Sequence, residues 1–388
     1  MVFNNNKGTQ TAAERNRISE IIKTVKNGQF EGMDLTGGDF SGMNLASANF
    51  WGATLDGANF EGCDLWAADI HGASAVNANF KNAKLCHASL VGSDISGSLL
   101  SGADFTAAEL IGTTMKDTEM VETNFYQANL TGARLQRSYV KGVNFGDAQL
   151  INTRLSGVYY TKERSDFEVG LDACLIGALF DDADLTGLDL TMAQVESAYF
   201  EGADLTAVNL EGMDLSKTSF KNTILEHANL RNANLTGANL SNTRMSQAVL
   251  DGAILVAANL TDTDMTEISA CGADFTGASM HRCLLDYSNL NKSKFNNTIM
   301  RQLHARDCSL VDADFTGADL EAADLQYCDL ENAVFKDTNL NIATLNKANL
   351  MNCSFDGATV IQTAFKLVKI SKENEAHLKD RGAIITEL

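Results

Sequence analysis

"ANLRNANLTGANLSN", residues 228–242, decides the fold, because Ala-Asn-Leu occurs in it three times at a spacing of five. Five is neither the period of about 3.6 that puts residues on one face of a helix nor the period of two of a strand. Counted by fives from Leu230, Leu235 and Leu240, the phase holds in both directions. Upward the centres include Leu250, Met265, Phe275, Leu290, Phe315, Leu330, Phe355 and Phe365; downward they include Leu215, Leu190, Leu150, Phe105, Leu85, Phe60 and Phe30. Nearly every centre is Leu, Phe, Ile, Met or Val, with Ala75 and Ala270 among the small exceptions. The residue two before a centre is small (Ala48, Ala103, Ala203, Ala313), and the residue one before is often Asp or Asn. The remaining two are polar or Gly. A phased apolar residue at every step excludes a disordered low-complexity tract.

Composition bounds the rest. The 388 residues contain no proline, so nothing interrupts a backbone ladder. Against 50 Asp and Glu stand only 30 Lys and Arg, a net charge of −20, which disfavours nucleic acid and anionic membrane as direct partners. No run approaches the roughly 18 apolar residues of a membrane span, and MVFNNNKGTQ at the start lacks the apolar core of a secretory signal. Eight cysteines without such a signal point to reduced thiols in a cytoplasm.

The A-(D/N)-L-x-x pattern over residues 30–365 resembles the pentapeptide repeat family. The resemblance implies an all-β, right-handed quadrilateral β-helix, a solenoid with about four pentapeptides per coil and the centre and small residues pointing inward. Phenylalanine tests the coil length separately. Seventeen of 19 phenylalanines lie on the register, and eleven pairs of them are 20 apart, against four pairs 10 apart and none at 5 or 15. Columns such as Phe275, Phe295, Phe315, Phe335 and Phe355 therefore stack as a core ladder at a strand spacing of about 4.8 Å. Some 16 coils are expected, about 78 Å of rod. The expected organisation is a helical cap over 1–29, solenoid over 30–157, a loop interruption at 158–172, solenoid over 173–367, and a helical cap or tail over 368–388. Thr11 and Glu14 form a capping box for a helix over 11–27 with Ile18, Ile21, Ile22 and Val25 on one side. Ser371 caps a second helix running to about Arg381, with Gly382 as its stop and an apolar tail after it.

The chemistry for catalysis is not legible: the six histidines are scattered, and there is no phosphate loop, nucleophile elbow or metal motif. No cofactor, metal or catalytic residue is assigned, and an enzyme is not expected. Asp and Asn belong to the repeat, so their abundance is no sign of acid-base work. Candidate interaction residues are of three kinds. Tyr159, Tyr160 and Phe167 stand in the interruption, rimmed by Lys162, Glu163, Arg164 and Asp166. Trp51 and Trp66 stand one past a centre, where side chains point outward, with His71 one coil beyond Trp51. Asp314, Asp319, Asp324 and Asp329 ring one coil as an acidic footprint for a basic partner. Cys63, Cys283, Cys308, Cys328 and Cys353 replace the small inward residue and are expected to be buried thiols. Cyanobacterial and other bacterial members of the resembled family look like regulatory or adaptor proteins, which implies a rigid scaffold binding a protein partner. Other members are acidic DNA mimics that bind DNA gyrase or topoisomerase IV and confer quinolone resistance, the alternative reading here, and those members suggest a homodimer contact through the C-terminal end.

Overall fold

The computed structural model describes residues 12–24, 28–160 and 170–386. The chain forms two compact units, Met1–Ala198 and Tyr199–Leu388. Both are built from the same five-residue step, which the opening stretch shows in unit 2. Ala228, Leu230, Ala233, Leu235, Ala238 and Leu240 are all fully buried. The Ala233 N–H donates to the Leu230 carbonyl at 3.1 Å, closing a four-residue turn over Arg231 and Asn232. Asn232 has φ 55°, and only the third residue of the turn is left-handed, the type II pattern. That is why Gly is the commonest residue in the slot two past a centre, with Asn and Asp frequent there: glycine takes this φ without strain and Asn and Asp tolerate it, while residues such as Ala67, Gln127 and Tyr287 are held in it by the ladder. Between turns the chain is extended. The Leu230 N–H donates to the Val249 carbonyl at 2.7 Å, and the Asn229 N–H to the Val208 carbonyl at 2.9 Å.

Such bonds repeat as parallel bridges at intervals of 20, as in Asn209↔Asn229↔Val249. One coil is thus 20 residues with four turns, and each turn bends the chain away from a buried centre. The phenylalanine columns stack as expected: ring centroids along Phe275, Phe295, Phe315, Phe335 and Phe355 are 5.1, 4.9, 5.0 and 5.1 Å apart. Phenylalanines 10 apart meet across the coil interior instead, edge to face at 5.7 Å between Phe30 and Phe40. Where Ser, Thr or Cys takes the small inward slot, its hydroxyl or thiol commonly donates to the carbonyl of a centre 23 residues earlier, and at Ser93 and Thr118 to that of the centre three residues earlier. Thr223 Oγ1 reaches the Phe200 carbonyl at 2.8 Å in the first way, so the buried polar atom is satisfied.

Regular extended runs long enough to be strands are few: β1 Glu119–Val121, β2 Tyr139–Asn144 and β3 Asp172–Cys174 form one parallel sheet in unit 1. They flank the interruption. The bridges Gln149↔Leu179 and Arg154↔Asp184 span 30 residues instead of 20, so this coil carries ten extra residues. Ten is two repeats, which is why the register of fives survives the interruption while the columns shift. The pairing also continues into the expected loop. Val158 is buried, Tyr159 pairs with Tyr139, and the Gly170 N–H returns to the Val158 carbonyl at 3.1 Å. A side chain at Gly170 would collide with the Asp189 carbonyl oxygen, so the return needs glycine.

The ends are capped. Helix α1, Ala12–Thr24, buries Ile18 and Ile22 against the first coil; Ile18 lies over Gly38, where a Cβ would come within 3.2 Å of its Cγ2. The expected capping residues Thr11 and Glu14 and the helix end at 25–27 lie outside the described residues and side chains. Helix α2, Lys372–Lys379, starts at Ser371, whose side chain accepts the Asn374 N–H at 3.2 Å, and buries Leu378. Asn374 Nδ2 donates to the carbonyl of Cys353 and the Arg381 guanidinium to those of Phe355 and Ala358; the Cys353 and Ala358 carbonyls are ones that the last coil leaves without a following strand. The apolar tail is not a loose end: Ile384–Thr386 forms β5, paired in parallel with β4, Ala364–Lys366.

Candidate interaction surface

The outward chemistry of a coil is carried by the residue before each centre and by the two turn residues. The first of these is committed to structure. Where it is Asp or Asn, its side-chain oxygen accepts the N–H of the residue two further on, as Asn234 Oδ1 does from the Thr236 N–H at 3.1 Å, which explains the Asp/Asn preference. The corners are less constrained, and large apolar residues stand there in the open. Trp51 and Trp66 are each about half exposed, at 51%. The His71 ring does not contact Trp51; its carbonyl takes the Gly52 N–H. The ring contact is between Trp66 and His87, edge to face at 6.2 Å. Ile111 and Tyr126 in unit 1 and Tyr287 and Tyr327 in unit 2 are exposed corner residues of the same kind. They were findable in the sequence as large apolar residues one or two past a centre. Tyr327 is further held by Lys347, whose Nζ is 3.1 Å from its hydroxyl and 4.7 Å from its ring centroid.

The interruption divides differently. Tyr159 and Tyr160 are half-buried, and the Tyr159 ring packs on Tyr139 at 5.6 Å. Both belong to the coil's flank. Phe167 and the polar rim Lys162, Glu163, Arg164 and Asp166 lie outside the described residues.

Asp314, Asp319, Asp324 and Asp329 fall on four successive sides of one coil, so the structure does not bring them into one patch. Each is engaged. Asp319 accepts from Arg301 Nε at 2.6 Å and Asn339 Nδ2 at 2.9 Å, Asp324 from Arg306 Nε at 2.7 Å, and Asp329 from Asn349 Nδ2 at 2.9 Å. Asp314 accepts from Thr316 Oγ1 at 2.6 Å and Asn296 Nδ2 at 2.8 Å. Burial pushes the Asp314 carboxyl up, but these hydrogen bonds outweigh it and leave it below the usual carboxylate range. Among the described residues no three His, Cys, Asp or Glu converge as metal ligands, and no helix is long and apolar enough to cross a membrane. Cys63, Cys283, Cys308, Cys328 and Cys353 are buried thiols; Cys86, Cys174 and Cys271 are partly exposed.

A family model described as pentapeptide repeats in eight copies matches the chain in overlapping stretches between residues 29 and 157 and between 172 and 350. No curated protein matches the sequence. Among solved structures, HetL, a pentapeptide repeat protein involved in heterocyst differentiation regulation from the cyanobacterium Nostoc sp. strain PCC 7120, is 25% identical over 66% of this chain and 90% of its own, with a TM-score of 0.17. Full-length QnrB1, a plasmid-mediated fluoroquinolone resistance protein, is 16% identical over 74% of this chain and 98% of its own, at 0.18. A pentapeptide repeat protein of the Arabidopsis thaliana thylakoid lumen is 33% identical over 29% of this chain and 71% of its own, at 0.16.

Proposed function

The chain belongs to the pentapeptide repeat family, and on that premise we propose that it is a non-enzymatic rigid scaffold, a right-handed quadrilateral β-helix whose outward side chains bind a protein partner in a regulatory or adaptor role. One observation carries this reading. Trp51, Trp66, Tyr287 and Tyr327 are held exposed at turn corners by a ladder that does not need their side chains for its own closure. Exposed aromatics on a rigid frame are the residue types that anchor protein interfaces, and repeat surfaces suit such contacts. The inward half of each coil supplies no space for a substrate, because centres and small residues fill it. Affinity capture with the full chain, followed by reconstitution with the purified captured protein, tests the reading. Direct binding that weakens when the corner aromatics are replaced by serine supports it; no direct binding by any captured protein sinks it.

The net charge of −20 favours a second reading, an acidic DNA mimic that binds DNA gyrase or topoisomerase IV. Against it stand the carboxylates of the 314–329 coil, which are engaged by arginines and amides rather than presented as a free anionic stripe. Micromolar protein should inhibit supercoiling at low salt and lose that inhibition as salt screens the charges; supercoiling left untouched at low salt removes this reading. We assign self-association to the C-terminal end, where Ile361, Leu367 and the β5 residue Ile384 are exposed. Sedimentation of an Ile361→Ser, Ile384→Ser variant tests it.

A further inference from the structure

In unit 1, one of the four sides of the coil differs from the other three. Its backbone runs through the bridge column Asn49↔Asp69↔Ser89↔Glu109↔Asn129↔Gln149. One bordering corner carries Trp51 and Ile111. The other carries Trp66 and Tyr126, and also Ile176, which the ten-residue insertion brings into the same column through the bond from the Asp147 N–H to the Ile176 carbonyl. Among the described residues of this unit six large apolar side chains are exposed, and five of them therefore lie along this one side; Met192 is the sixth. The slot beside the Trp51–Ile111 corner is glycine in Gly52, Gly72, Gly92 and Gly112, with open space where each Cβ would stand. Cations are distributed in the opposite sense. All seven Lys and Arg between residues 28 and 160, from Lys81 to Arg154, fall on the other three sides, while Asp69, Glu109 and Asp147 remain on this one.

We infer that this side is the docking surface of the scaffold and that its occupant is an amphipathic helix of another protein, apolar along its middle and bordered by Lys or Arg. The inference rests on the scaffold reading and names the surface and the chemistry of its partner. Charge complementarity requires the basic border: an incoming cation meets Asp69 or Glu109 with no resident lysine or arginine to oppose it. A second copy of the chain is disfavoured, because a two-fold contact through this side would set the same carboxylates against each other. An added strand is disfavoured as well. The backbone groups of the side are already used, as in Asn129 N–H to the Ala108 carbonyl at 2.9 Å and Leu130 N–H to the Gln149 carbonyl at 2.7 Å, so no edge is open for pairing. A helix brings its own satisfied backbone and needs only apolar contact. From Trp51 to Ile151 the side spans five coil steps, about 24 Å at the strand spacing, the length of about 16 helical residues.

The chain has two tryptophans, and both border this side, so intrinsic fluorescence reads it directly. The probe is an 18-residue helical peptide with leucine along one face and lysine along its borders, compared with a twin carrying glutamate for lysine, each titrated into the full-length protein. The expected result is a blue shift and protection from acrylamide with the lysine peptide only. Asp69→Lys with Glu109→Lys should weaken binding at least about tenfold, and Asp94→Lys, on a neighbouring side, should leave it unchanged. Should the charge variant unfold, Ile111→Ser, an exposed corner change, must also weaken binding. Equal binding of both peptides, no spectral change, or an equal loss in Asp94→Lys overturns the inference. So does tryptophan protection in the free protein, whether it rises with concentration, which assigns the surface to a second copy, or is present at all concentrations, which assigns it to the chain's own remaining segments. If the peptides fail while a reconstituted partner is lost on replacing Tyr287 or Tyr327, the scaffold reading stands and this surface does not.

Discussion

Asn59 donates its side-chain amide to Asp39 Oδ1 at 3.0 Å, one coil away, and the same carboxylate oxygen accepts the Ser41 N–H at 3.1 Å. Asp39, one before a centre, therefore serves two purposes: it closes its own corner and it ties neighbouring coils together. The Ser41 hydroxyl, then its backbone N–H, holds Asp39 below its ordinary value of 3.8 against the opposing effect of burial, with Asn59 contributing in the same direction. Asp34 is lowered chiefly by the Thr36 hydroxyl and Asp214 by the Ser216 N–H. A carboxyl whose folded value is depressed stabilises the fold above its unfolded value, and that contribution is lost as the pH falls through the folded value. The triple variant Asp34→Asn, Asp39→Asn, Asp214→Asn keeps the acceptors and removes the titration. Its melting temperature should fall less steeply than that of the parent between about pH 5 and pH 2. Parallel curves for the two proteins would show that these carboxylates do not carry the acid sensitivity.

The interruption yields a sharper experiment than its sequence suggests. Replacing 158–170 would remove Val158 and Tyr159, which are buried or paired, and would break the bond from the Val140 N–H to the Tyr159 carbonyl at 2.8 Å. Replacing only 161–169 with glycine and serine leaves Val158, Gly170 and their hydrogen bond in place. That shorter exchange should keep the melting temperature within a few degrees, since it leaves in place the ladder bonds that the described residues make here, from the Val140 N–H to the Tyr159 carbonyl and from the Gly170 N–H to the Val158 carbonyl. The exchange of 158–170 should lower it clearly. Equal effects of the two would place the ladder's dependence inside 161–169. If the shorter exchange abolishes partner binding at unchanged stability, the segment bearing Phe167 is the recognition element.

Thiol chemistry separates inward from outward cysteines. Burial pushes the Cys283 and Cys353 thiols up to about 12 and the Cys63 thiol to about 11. Cys86 also rises to about 11, from partial burial first and then from the Asp104 carboxylate it bonds. Cys328 is raised well above the ordinary value by its neighbour Cys308 and by burial. The thiolate is the reactive form, so at about pH 8 an aromatic disulfide reagent should label native protein rapidly at Cys174 and Cys271 only. The other six thiols should react on denaturation, which peptide mapping checks. Fast native labelling of Cys283 or Cys353 would contradict their inward placement.

The inward half of the coil was legible because packing sets a size limit at fixed steps. A centre must fill the interior and the residue two before must not overfill it, so Leu235 and Ala233 are readable from spacing alone. What escaped the sequence depends on contacts between distant residues. The ten-residue insertion leaves the phase of five unchanged, so nothing in the repeat shows that Ile176 joins the column of Trp66 and Tyr126. The pairing of β5 with β4 and the reach of Arg381 to the last coil's carbonyls are tertiary events with no local signature. The ring of Asp314, Asp319, Asp324 and Asp329 was legible from their spacing of five, but the structural partner of each was not: Thr316 and Asn296, Arg301 and Asn339, Arg306, and Asn349 are set by contacts between coils as well as within them.

The stack through Phe315 gives the most direct test of the coil length. Its ring lies 4.9 Å from Phe295 and 5.0 Å from Phe335, at interplanar angles of 8° and 2°. All three rings are buried, so the column has no solvent to fill a gap. Phe315→Ala removes the ring from the middle of the column and leaves a cavity, at a cost of about 3–5 kcal/mol. Phe315→Leu keeps most of the volume and should cost under about 1.5 kcal/mol. Leu235→Asp is the polar counterpart: it buries a carboxylate with no partner and should cost several kcal/mol. The coil length enters through coupling. Phe315→Ala and Phe335→Ala share one void if residues 20 apart are stacked, so their combined cost should differ from the sum by about 0.5 kcal/mol or more. Phe315→Ala and Leu325→Ala sit in different columns and should couple less strongly. Urea unfolding of the single and double variants measures both terms. Additive behaviour for Phe315 with Phe335, or stronger coupling of Phe315 with Leu325, would be incompatible with the 20-residue coil.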